Sequence, residues 1–69
     1  MRKYVLDYKL NGGAVEYHYF DADNDEHAKG KVHSFCANRE GDKYEAVGLY
    51  RVRYEEVKIC REVRDKIAA

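Results

Sequence analysis

Residues 2–20 read RKYVLDYKLNGGAVEYHYF, two alternating apolar and polar runs joined by Asn11-Gly12-Gly13. Asn-Gly between such runs is a strong hairpin signal, because both central positions of a type I′ turn need positive φ, which these two residues tolerate. With Asn11-Gly12 as a two-residue turn, Leu10 pairs with Gly13, Tyr8 with Val15, Leu6 with Tyr17 and Tyr4 with Tyr19. That register gathers the large side chains on one face, the predicted core side, and leaves Val5, Asp7, Lys9, Glu16, His18 and Phe20 on the other.

Downstream, Asp21 to Glu26 is the one segregated acidic stretch, and Asp23 followed three residues later by Glu26 has the form of a capping box. A helix is predicted from there, with Ala28, Val32, Phe35 and Cys36 recurring at i, i+4, i+7 and i+8 as its apolar stripe. Its end is expected near Asn38 to Glu40, with Gly41 as the stop. Gly30 inside it costs up to about 1 kcal/mol relative to Ala, for which close approach of the helix to the sheet is the available reason.

Residues 43–54 alternate again, Tyr44, Ala46, Gly48, Tyr50, Val52 and Tyr54 on one side and Glu45, Val47, Leu49, Arg51 and Arg53 on the other. A helix returning across the sheet places this strand beside the first. Residues 55–69 fit a strand or a helix; a turn at Glu55-Glu56 pairing Val52 with Ile59 and Tyr54 with Val57 favours a fourth strand through about Val63, followed by a frayed or helical end. The expected fold class is α+β: an antiparallel three- to four-stranded sheet, β-β-α-β-β in order 2-1-3-4, with one helix packed on one face and residues 1–69 forming a single small domain.

Charge narrows the functional classes. Lys plus Arg equals Asp plus Glu at 13 each, which removes the long-range positive field that gathers nucleic acid or anionic membranes, so both are disfavoured as partners. No apolar run approaches the roughly 20 residues of a membrane span, and no signal-peptide block follows Met1, so a cytoplasmic location with Cys36 and Cys60 reduced is expected. A core in a chain of 69 residues supplies about 3 to 5 kcal/mol, which makes self-association a natural supplement.

Chemistry-bearing motifs are weak. His33 and Cys36 sit at i, i+3, but no C-x-x-C pair accompanies them to build a zinc site. Asp21, Asp23 and Asp25 resemble half of a calcium loop, yet Glu26 stands where the turn Gly is needed and Val32 where the bidentate Glu is needed. No enzyme activity, metal or cofactor is expected. Seven tyrosines suit sheet packing. The register above places Val5, Phe20, Val47 and Leu49 on the uncovered face beside His18 and Arg51, a candidate protein interface; the competing readings are a bulge at Gly48 that turns Val47 or Leu49 inward, or a C-terminal tail folded over them. Arg51, Arg53, Lys58, Arg61 and Arg64, with Tyr50 or Tyr54 to stack on bases, form the alternative, a weak and salt-sensitive nucleic-acid surface.

This arrangement of elements resembles that of many short bacterial and phage open reading frames. The expected function is a non-enzymatic protein-interaction module, a small cytoplasmic regulator or inhibitor of phage or mobile-element type. It would act through an exposed sheet face or edge on a protein partner of unknown identity or on a second copy as a homodimer.

Overall fold

The computed structural model describes residues 1–37, 41–56 and 60–67. Strands β1 (Arg2–Leu10), β2 (Val15–Ala22), β3 (Tyr44–Glu56) and β4 (Cys60–Lys66) form one antiparallel sheet in the order β2-β1-β3-β4, with helix α1 (Asp25–Phe35) against one face. The fold class and strand order are those expected.

The first hairpin departs from the expected register by one residue. The turn itself closes as read, with Asn11 at φ 53°, Gly12 at φ 73° and the Gly13 N–H donating to Leu10 O at 3.0 Å. The ladder beyond it nevertheless pairs Lys9 with Val15, Leu6 with His18 and Tyr4 with Phe20, so the chain spends an extra residue between Gly13 and Val15. Since side chains alternate along a strand, this slip turns β2 over. His18 and Phe20 face the helix, and Tyr17 and Tyr19 face away from it.

Packing under the helix explains the choice. Phe35 stacks on His18 at 4.3 Å between centroids and meets Tyr8 and Tyr44 edge-on at 5.2 Å. Phe20 stacks on Tyr4 at 5.8 Å, and Tyr4, Ala22 and Ala28 are fully buried around that pair. The tip of the turn is held as well: Asn11 N–H donates to Lys43 O and its side-chain oxygen accepts from Lys43 N–H, both at 2.7 Å.

The helix begins one residue later than the capping box implied. Asn24 is the cap, its Oδ1 accepting from His27 N–H at 2.8 Å, while His27 Nδ1 accepts from Asp23 N–H at 3.0 Å. The imidazole thus makes a return bond as the Glu side chain of the usual box does, but to the residue before the cap rather than to the cap itself. The helix ends at Phe35 with Cys36 as its C-cap, short of the expected end, and Asn38 to Glu40 lie outside the described residues.

A Cβ built on Gly30 meets nothing within 4 Å, which removes close approach to the sheet as the reason for this glycine. Gly30→Ala is accordingly expected to raise stability by about 0.5 to 1 kcal/mol, through helix propensity alone. A urea-denaturation midpoint compared with wild type checks this.

On the other side of β1 the ladder carries a bulge. Asp7 pairs with Gly48 but Tyr8 with Ala46, leaving Val47 as the unpaired residue. The bulge reverses the alternation of β3 partway along. Tyr44 and Ala46 face the helix with Leu49 and Arg51, whereas Gly48, Tyr50, Val52 and Tyr54 face away, so the single face expected for the even-numbered residues does not exist. β4 is also displaced from its expected register. Tyr54 pairs with Glu62 and Val52 with Arg64, which moves the connection past Glu56. Val57 and Ile59, the expected partners of Tyr54 and Val52, lie outside the described residues. The strand runs to Lys66, beyond the expected end at Val63, and Ile67 N–H still bonds Leu49 O at 3.0 Å.

Candidate functional site: the tyrosine face of the sheet

The slip and the bulge together decide what the uncovered face displays. From β2 come Val15, Tyr17 and Tyr19, from β1 Val5 and Asp7, from β3 Gly48, Tyr50, Val52 and Tyr54, and from β4 Glu62, Arg64 and Lys66. Arg64 reaches across all four strands. Its Nη1 donates to Asp7 Oδ1 at 3.2 Å, its Nε to Glu62 Oε2 at 3.0 Å and its Nη2 to the Tyr19 hydroxyl oxygen at 3.1 Å. The Tyr19 hydroxyl in turn donates to the Glu62 carboxylate at 3.1 Å.

The same guanidinium stands 5.1 Å from the Tyr17 ring centre and 5.7 Å from that of Tyr50, within cation–π range of both. Tyr50 leans over Gly48, where an added Cβ would lie 3.0 Å from its ring and hydroxyl; the glycine makes room for the ring. Beneath this layer Val5 and Val52 are buried, so the sheet has a second small core on the face away from the helix, roofed by Arg64 and tyrosine rings.

The hydrogen bonds from Tyr19 and Glu62 hold the Arg64 proton more tightly than in free arginine, and burial opposes them only partly. Arg64 therefore remains a cation throughout the ordinary pH range. With two carboxylates against one guanidinium, the cluster has no positive charge left for an anionic ligand. What it presents outward is aromatic surface: Tyr17 and Tyr54 are each 57% exposed, Tyr19 44% and Val15 39%.

Most of the predicted interface residues fall elsewhere. Val5 is on the uncovered face as expected but completely buried there, while Phe20 and His18 lie beneath the helix and Leu49 and Arg51 face the helix side, so the set does not assemble into one surface. Val47, at the bulge, is exposed, but it borders a groove of about 470 Å³ on the helix side together with Leu6, Val32, Ala46, Leu49 and Ile67. The bulge considered as the competing reading is present; it turns Leu49 toward the helix and leaves Val47 outside.

The alternative basic set is divided between two faces. Arg51 bonds Asp25 at 3.1 Å, Arg53 bonds Asp65 at 3.0 Å and Glu55 at 2.7 Å, and Arg61 bonds Glu55 at 3.0 Å, all on the helix side. Arg64 is on the opposite side, and Lys58 lies outside the described residues. Cys36 is a free thiol whose pKa is pushed up by burial, which lowers its thiolate fraction and its reactivity.

Asp25 ties the helix to the sheet. Its Oδ1 accepts from the Tyr4 hydroxyl at 2.8 Å and its Oδ2 from Arg51, and the Tyr4 bond above all holds its carboxyl below the usual range, against an opposing contribution from burial. A depressed folded pKa contributes stability that is present above the unfolded value, near 4, and lost as pH falls through the folded one. Tyr4→Phe removes the main cause. It is expected to flatten the acid limb of the thermal midpoint against pH while leaving the shape at neutral pH unchanged, which a calorimetric pH series of both proteins measures.

Among the described residues no helix is long and apolar enough to cross a membrane. No protein-family model, curated protein or solved structure matches the chain, and its functional reading rests on the tyrosine face itself.

Proposed function

We propose that this chain is a non-enzymatic protein-interaction module, a small cytoplasmic regulator or inhibitor of phage or mobile-element type, that docks a partner protein on the face formed by Tyr17, Tyr19, Tyr54 and Val15. The observation that carries this reading is the exposure of three tyrosines on a face that α1 leaves uncovered, braced by the Arg64 cluster. Tyrosine contributes large contact area at low entropic cost, and Tyr and Arg dominate the energetics of known interfaces. Here the ordering cost is partly met before binding, because Tyr19 and Tyr17 are already held by Arg64.

The chemistry of the face describes the partner. Its centre is aromatic, and Lys9 and Lys66, on its border by register, make no ion pair within the described residues, so a surface apolar at its centre and acidic at its rim is complementary. The polar groups at the centre are bonded to one another, which supports binding over catalysis.

The test begins with crosslinking of the immobilised chain in extract of its source cells and identification of the captured protein, which is then purified and titrated calorimetrically. Tyr17→Ala and Tyr54→Ala are each expected to weaken binding by about tenfold or more without changing the circular dichroism, and the helix-side control Val47→Ala to leave it unchanged. Binding that survives both tyrosine substitutions would sink the proposal.

A further inference from the structure

β4 is the last strand of the sheet, and among the described residues no strand lies beyond it. Its central sequence, Arg61-Glu62-Val63-Arg64-Asp65, is antisymmetric in charge about Val63. Turned end for end, the segment sets Arg61 against Asp65 and Glu62 against Arg64, each base opposite an acid. Val63 is also the midpoint of the strand.

The backbone allows the same centre. Ile67 N–H points inward to Leu49 O, so by the alternation of an antiparallel ladder the amides and carbonyls of Asp65, Val63 and Arg61 also point to β3. Those of Glu62, Arg64 and Lys66 point outward. A two-fold axis at Val63 brings Glu62 of one copy opposite Arg64 of the other, and both have outward-directed groups to exchange. Centring on Glu62 or Arg64 instead sets like charge on like charge at the axis, and a centre between residues mismatches the hydrogen-bonding positions.

We propose that β4 is a self-complementary edge through which two copies of this chain join antiparallel, making one continuous sheet with its two-fold axis at Val63. The ion pairs within each copy extend into the contact. In cross-strand order the helix side reads Arg51, Asp65, then Arg61 and Glu55 of the second copy, alternating in sign across the axis. Asp65 keeps its bond to Arg53 and Arg61 keeps its bond to Glu55 while each gains an opposite charge. The other free edge lacks this property, since β2 carries only the carboxylates Glu16 and Asp21 beside His18. Pairing through β4 leaves Tyr17, Tyr19 and Tyr54 open, so the edge and the tyrosine face are independent surfaces.

Light scattering on the intact chain from about 10 µM to about 1 mM, where a contact of one strand pair is populated, tests the proposal. The molar mass is expected to rise from 8.1 kDa toward twice that value; a monomer at every concentration overturns the dimer. Arg61→Asp and Asp65→Arg each set like charges opposite one another twice per dimer and are expected to weaken self-association at least about tenfold. Mixed one to one, the two variants restore both opposite-charge pairs and should recover the dimer. A mixture that stays monomeric, or variants that associate like wild type, overturn the strand pairing. Should either variant lose its circular dichroism spectrum, Lys66→Pro decides: it removes an outward N–H and must weaken association with the sheet intact, and undiminished association overturns the proposal.

Discussion

Tyr4→Ala is expected to leave no substantial folded population at room temperature. Tyr4 is fully buried in the middle of the helix-side core, stacked on Phe20, in one cluster with Ala22 and Ala28 and bonded through its hydroxyl to Asp25. Truncating a buried aromatic residue to alanine costs about 3 to 5 kcal/mol. Asp25 loses its best hydrogen bond at the same time, and the whole fold of a 69-residue chain is stabilised by about the same amount. Urea denaturation followed by near-ultraviolet circular dichroism reads the outcome directly. A variant that retains a cooperative transition within about 1 kcal/mol of wild type would show that the core is centred elsewhere.

Arg64→Ala is the second large effect, and it acts on the opposite face. Asp7 is only 15% exposed and Arg64 29%, so removing the guanidinium strands a nearly buried carboxylate. Losing one partner of a fully buried pair costs about 3 to 5 kcal/mol; partial solvation here brings the expectation to about 2 to 3 kcal/mol. Part of that is packing, because the arginine stem helps to cover Val5 and Val52. The two contributions separate in a double-mutant cycle. Arg64→Met keeps an unbranched stem, and combining it with Asp7→Asn removes the orphaned charge, so the double variant is expected to recover at least half of the loss seen with Arg64→Met alone. No recovery would assign the role of Arg64 to its tyrosine contacts.

Local chemistry made much of this architecture legible. Asn11-Gly12 announced the hairpin, the Ala28, Val32, Phe35 and Cys36 stripe announced the helix, and the alternation from Tyr44 to Tyr54 announced the third strand. The faces were less legible, because each hung on a single residue. Ala14 is indistinguishable in sequence from a paired residue of β2, and Val47 from an ordinary strand residue. Only the pairing of Phe35 with His18 and of Leu49 with Leu6 decides that both are extra.

The candidate site inherited those two errors. Counting assigns Phe20 and Leu49 to the uncovered side and Tyr17 and Tyr19, which occupy it, to the core; Val5 does face that side but is buried beneath its outer layer. Apolar character gave no help, since both alternation classes of β2 are rich in rings. One signal in the sequence points to the cluster: an arginine with Glu62 two residues away and tyrosines in the other strand segments is a natural centre for a roofed patch, more than a member of a basic row with Arg61 and Lys58.

The extra residue after the turn bears on how the chain folds. A hairpin of residues 2–22 taken by itself has two possible pairings, one with Tyr17 and Tyr19 toward β1's Tyr4 side and one with His18 and Phe20 there, and the closed Asn11-Gly12 turn is compatible with both. Closing the turn by itself therefore specifies neither pairing. The register is specified instead by a tertiary contact, Phe35 against His18, so the helix decides which face of β2 the sheet displays and the misregistered hairpin is the alternative that this contact excludes.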